Sequence, residues 1–119
     1  MAKIDYFERK LDDKRRLTVP AELRAEFADG IVITRGFGEY LHLYPKNIWE
    51  EDMEDALAGD ILSEQVADLN EKFRVGKTES QLDEKQGRIT FAKDQLDFAK
   101  ITSEILAVRV GKYWRLKAK

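Results

Sequence analysis

The stretch LDDKRRLTVP, Leu11–Pro20, decides the fold because a later stretch, LDEKQGRITFA, Leu82–Ala92, writes nearly the same phrase again. An offset of 72 residues pairs Asp12 with Glu84, Lys14 with Gln86, Arg15 with Gly87 and Arg16 with Arg88. It goes on to pair Leu17 with Ile89, Thr18 with Thr90 and Val19 with Phe91. One more residue of offset brings Tyr40-Leu41-His42-Leu43 onto Tyr113-Trp114-Arg115-Leu116. Self-similarity of this kind marks a duplicated unit, here of about forty residues.

The local patterns agree with a duplication. KIDYFERK, from residue 3 to 10, alternates apolar and charged residues as a half-buried strand does. DDKR reads as a tight turn, since aspartates bond their own backbone. RLTV is a second strand with Leu17 and Val19 on one face. Pro20 suits the first position of a helix, and PAELRAEFA places Leu23 and Phe27 one helical turn apart. IVITRG and YLHLYP are strands joined by the turn FGE. The same order returns in KTESQL, EKQG, RITF, AKDQLDFA, EILAVRV and KYWRLK. Residues 3–44 and 77–117 are thus the two repeats of a β-α-β unit.

Residues 46–76 differ. NIWEEDMEDALAG puts Ile48, Trp49, Met53, Ala56 and Leu57 on one helical stripe, and Gly59 closes it. A second helix, capped by Asp60 or Ser63, puts Leu62, Val66, Leu69 and Phe73 at helical spacing. The expected fold is α+β, mainly β: a duplicated unit with a two-helix insert between its copies and pseudo-two-fold symmetry, all one domain across residues 1–119.

Charge follows the same division. The net charge is −2, yet residues 47–71 hold nine Asp/Glu and no Lys/Arg, while residues 72–119 hold twelve Lys/Arg and six Asp/Glu. A chain can be acidic overall and still present a basic face; the plainer reading is a solvated acidic helix between mixed segments. With no cysteine there is no disulfide or thiolate metal site, and MAKIDYFERK has no long apolar run to serve as a leader or span. A soluble cytoplasmic protein is expected. His42 is the only histidine and alternates with leucines, as an exposed or satisfied strand residue does; no P-loop or G-x-S-x-G is present. An enzyme is therefore not expected, and neither a metal, a cofactor nor a small-molecule substrate.

The turns carry the chemistry. Lys or Arg at a turn tip reaches phosphates without burying a charge, and a two-stranded ribbon fits the major groove. Lys14, Arg15 and Arg16 are the strongest candidates for DNA contact, followed by Lys85, Gln86 and Arg88. Asp12, Glu84 and Gly87 are candidates for shaping the turns. The plainer alternative makes both turns solvated hairpin tips, with Arg16 and Arg88 paired to Asp12 and Glu84. If the position shared by Arg15 and Gly87 needs positive φ, the arginine is strained there by about 1 kcal/mol.

LDDKRRLTVPAELR resembles the first signature of the MraZ family, D-x-K-G-R-L-x-I-P-x-x-L-R, and EKQGRITFAKDQL resembles its second, degenerate copy. IVITRGFGEYLHLYP with Trp49 is similar to that family's middle segment. The resemblance implies a duplicated AbrB-like unit, a homo-oligomeric ring, and binding of double-stranded DNA at repeated sites through the basic turns. It also implies a nucleoid-associated bacterial transcription regulator of the division and cell-wall gene cluster. The chain departs from the pattern at Arg15, where glycine is usual, and at Ala92, where proline is usual. Asp83-Glu84 has one residue too many, so either acid fits the place of Asp12. Lys119 ends the sequence where relatives often continue, which leaves the ring size open. A second expectation, a protein-interaction module working through the acidic helices, stands beside the DNA-binding one.

Overall fold

Alternating apolar residues become eight strands in the computed structural model, which describes residues 4–119 and is a mixed α+β fold built mostly on one antiparallel sheet. The strands are β1 (Tyr6–Lys10), β2 (Arg16–Thr18), β3 (Ile31–Arg35), β4 (Leu41–Pro45), β5 (Thr78–Ser80), β6 (Arg88–Thr90), β7 (Glu104–Val110) and β8 (Tyr113–Ala118). Residue 3, where the first expected strand begins, lies outside the described residues. Six strands form a sheet in the order β1-β7-β8-β4-β3-β5, and β2 and β6 form a separate two-stranded ribbon. Exchanging β1 with β5, β3 with β7 and β4 with β8 turns the sheet order into its own reverse. The ladders follow suit: Leu43 faces Ile33 as Leu116 faces Ala107, and His42 faces Thr34 as Arg115 faces Val108.

Side-chain alternation sorts the sheet into two faces. Ile31, Ile33, Leu41, Leu43, Ile105, Ala107, Trp114 and Leu116 point to the main core, where they meet Leu17 and Ile89 from the ribbon. Val32 and Tyr44 point the other way and pack on Trp49, Leu57 and Phe73 of the insert. β3 and β4 are therefore covered on both faces, which is why IVIT and LHLYP are so apolar. β7 keeps one open face and reads as an alternation.

The helices differ from expectation in instructive ways. PAELRAEFA forms a 3₁₀ helix, Ala21–Phe27, with Pro20 at its N-cap rather than at the first helical position. Its ends close by i→i+3 bonds, Leu23 N–H donating to Pro20 O (2.9 Å) and Ala28 N–H to Ala25 O (3.3 Å). The first insert helix runs unbroken through α1 (Lys46–Ile48), a π segment (Trp49–Met53) and α2 (Glu54–Leu57). The wide π turn brings residue i+5 over residue i, and Trp49 Nε1 donates to Glu54 Oε1 (2.9 Å). In the second, α3 (Glu64–Arg74), Ser63 rather than Asp60 is the N-cap, its hydroxyl accepting from Val66 N (3.3 Å). Leu62 thus falls outside the helix, and of the predicted stripe only Phe73 is buried. In α4 (Lys93–Phe98), Gln95 is fully buried and donates to Gly76 O (3.0 Å) and Thr78 Oγ1 (3.0 Å), tying that helix to the start of β5.

His42 corrects the expectation of an exposed or satisfied residue. It is 1 % exposed, its Nδ1 lies 2.8 Å from Tyr44 Oη, and its Nε2 has no partner. Its ring stacks on Phe73 (centroids 5.5 Å apart). Burial, helped by the nearby Arg115 charge, pushes its pKa down from 6.5 to about 4. The unfolded chain therefore takes up a proton before the folded one does. Stability is full above pH ~7, declines as the pH falls from about 6.5 to about 4, and changes no further on this account below that. The loss is on the order of 2–3 kcal/mol. Urea unfolding at pH 7.5 and 4.5 is expected to show it, and His42→Phe is expected to remove most of the difference.

Candidate nucleic-acid interface

Three-residue strands are marginal alone, so the ribbon depends on what it buries. β2 and β6 pair antiparallel, with Leu17 opposite Ile89, both fully buried on the inner face. The pairing extends past each end, Val19 N donating to Gly87 O and Phe91 N to Arg15 O, each at 2.9 Å. The same offset of 72 residues that relates the two phrases relates these two bonds. On the outer face Arg16 lies opposite Thr90 and Thr18 opposite Arg88. The antiparallel pairing puts one basic turn at each end of the ribbon.

Each turn is braced by one carboxylate. Asp12 Oδ1 accepts from the amides of Lys14 and Arg16 (both 2.9 Å), and Oδ2 accepts from Arg16 Nε (2.6 Å). Desolvation opposes ionisation of Asp12, but the amide and guanidinium of Arg16 and the amide of Lys14 outweigh it and hold its pKa below the ordinary value. In the second turn the bracing acid is Asp83, not Glu84 as the offset suggested. Asp83 Oδ1 accepts from Lys85 N (2.8 Å) and Gln86 N (3.2 Å), and Oδ2 pairs with Arg88 Nη2 (2.5 Å). The Arg88 guanidinium, then those two amides, hold the Asp83 carboxyl down at about 2. The extra residue is absorbed by a longer loop: Asp12 N bonds Arg16 O, while Asp83 N bonds Arg88 O. Glu84 is exposed and points no polar atom into the turn.

Arg15 and Gly87 share the left-handed conformation, with φ of 60° and 61°. Gly87 adopts it freely, whereas Arg15 is strained. Arg15 Nε donates to Phe91 O (3.2 Å) at one end of the ribbon. At the other end the matching carbonyl, Val19 O, accepts from Arg24 Nε (3.0 Å). A Cβ at Gly87 would run into Arg24 Nε, Cδ and Cζ. The ribbon thus carries a guanidinium at both ends, one from the turn itself and one from the 3₁₀ helix, lying in the space that the glycine leaves.

Lys14, Arg15, Lys85 and Gln86 stand exposed at the tips. Arg16 and Arg88, with side chains 26 % and 21 % exposed, lie lower and are partly engaged by their aspartates. Reading residues by type missed three positions. Arg24 was legible only as the last letter of the first signature. Thr18 and Thr90, both exposed on the outer face, were legible from the offset alone. The coupling of Gly87 to Arg24 is measurable in a double-mutant cycle. Gly87→Ala is expected to cost about 1–2 kcal/mol, and roughly 1 kcal/mol less in an Arg24→Ala background, by chemical denaturation.

The MraZ family model, described as "MraZ protein, putative antitoxin-like", matches residues 6–69. A protein of Roseiflexus sp. (strain RS-1) named transcriptional regulator MraZ is 31 % identical over 112 residues, 94 % of this chain and 78 % of its own length. A protein of the same name from Herpetosiphon aurantiacus is 34 % identical over 107 residues, 90 % of this chain and 74 % of its own length. The braced turn Asp12–Arg16 and the ribbon strand β2 fall within the matched region. The chain therefore belongs to the MraZ family.

Proposed function

We propose that this protein is a transcriptional regulator that grips duplex DNA with its two braced turns, acting as a homo-oligomeric ring on repeated sites. The observation that carries the reading is the ribbon. Its inner face is core, and its outer face and ends offer Arg16, Arg88, Lys14, Arg15, Lys85, Gln86 and the Arg24 guanidinium in a fixed frame. Asp12 and Asp83 orient the arginines and leave terminal guanidinium nitrogens free for phosphate or guanine. The names of the relatives support regulation of transcription. The reversing strand order and the matching ladders support two AbrB-like copies, residues 3–44 and 77–117, related by a pseudo-two-fold axis and separated by the insert at 46–76.

One ribbon meets few DNA groups, and a ring multiplies them, because each tethered ribbon meets the next site at high effective concentration. Direct repeats upstream of the division and cell-wall gene cluster are the target that the family resemblance implies.

Fluorescence titration of duplex DNA bearing several repeats tests the reading. Arg16→Ala is expected to weaken binding by about 1–3 kcal/mol for each base that its guanidinium pairs with, while the oligomer stays intact. Lys14→Ala is expected to flatten the dependence of log K on log salt by about one unit for each phosphate that its ammonium neutralises. Affinity and slope unchanged in both variants would refute the assignment of the turns.

A further inference from the structure

The insert covers only half of one sheet face. In the covered half Val32, Thr34, His42 and Tyr44 lie buried against or beneath the insert helices. The ladders equate them with Leu106, Val108, Arg115 and Lys117 on β7 and β8. No insert helix covers these four: Leu106 and Val108 stay half-exposed and Lys117 fully so, while Arg115 is half-covered by Tyr40, its guanidinium 4.3 Å from the ring centroid. Tyr6, across from Val108, is exposed as well. An apolar patch of Tyr6, Leu106 and Val108 thus stands open where its counterpart is roofed.

The open face is basic. Lys10, Arg115 and Lys117 line it, and its two acids, Glu8 and Glu104, are both paired with Lys119. The insert has the complementary chemistry. Among the described residues, Glu51, Asp55, Asp60, Glu64, Asp68 and Glu71 have no ion-pair partner. At its tip Ile61 and Leu62 are 94 % and 89 % exposed. Two aliphatic side chains held almost wholly in water beside so many acids fit a basic apolar surface, and the chain's own open face has that character.

We propose that the face formed by β1, β7 and β8 takes the Ile61–Leu62 tip and acidic flank of the insert from a second copy. The contact joins two different surfaces, so it is head-to-tail and propagates until the rotation closes a ring. This proposal rests on the oligomeric reading above and names the surfaces that make the oligomer.

Mixing two variants tests it. Ile61→Glu/Leu62→Glu spoils the tip, at positions too exposed to matter for folding. Val108→Glu spoils the face, with Arg115 opposite it to accommodate the charge. By light scattering, the unaltered protein is expected to be several times 13.8 kDa, and each variant alone about 13.8 kDa with an unchanged circular dichroism spectrum. An equimolar mixture is expected to stop at about twice that mass, because one intact tip meets one intact face and the remaining ends are blocked. Variants that keep the full oligomer, or a mixture that stays monomeric, would overturn these surfaces while leaving oligomerisation itself standing. A monomeric unaltered protein would overturn the oligomeric reading with them.

Discussion

The pairing of Leu17 with Ile89 is the constraint on which the rest depends. Each sits at the middle of a three-residue strand, and neither strand would persist in water alone. Buried together under the sheet, they lock the two halves of the chain at one register. A slip of one residue would turn both side chains out and drive arginine and threonine into the core. The register fixes where Arg15 meets Phe91 and where Val19 meets Gly87, and so sets the two turns at opposite ends of one frame. A fixed frame matters because contacts to DNA are useful only when their spacing is constant.

The same layering reconciles an acidic chain with the anionic partner proposed for it. The ribbon lies on one face of the sheet, and the insert, which carries nine acids and no bases over residues 47–71, lies on the other. The sheet keeps this negative block away from the turns. Local charge rather than the net charge of −2 governs what each face attracts. Described helices are also too short and too polar to cross a membrane.

Much of this was legible in the residues. The alternation in EILAVRV matches the bounds of β7, and the repeat at an offset of 72 picked out β2 and β6 as equivalent strands, but their pairing was not legible: the turns read as hairpin tips, whereas β1 pairs with β7 and β2 with β6. Long-range facts were less visible. The swap of Asp83 for Glu84 depends on loop length, which a fixed offset hides. The use of Arg24 to fill the place left at Gly87 depends on a helix more than sixty residues away in sequence folding back onto the turn. His42 reads as an ordinary strand residue because its burial comes from the insert, whose packing face the stripe of leucines predicted only in part. Leu62 matches the helical period yet faces water, since Ser63 starts the helix after it, and Leu69 is only partly covered, lining a small apolar cavity with His42, Tyr44, Leu57 and Phe73.

Hydrogen–deuterium exchange of the full chain, with and without duplex DNA carrying repeated sites, tests the central claim most directly. The account predicts slowed exchange at the amides of residues 12–18 and 83–90, with the insert at 46–74 unchanged. Protection over the insert with none at the two turns would contradict it.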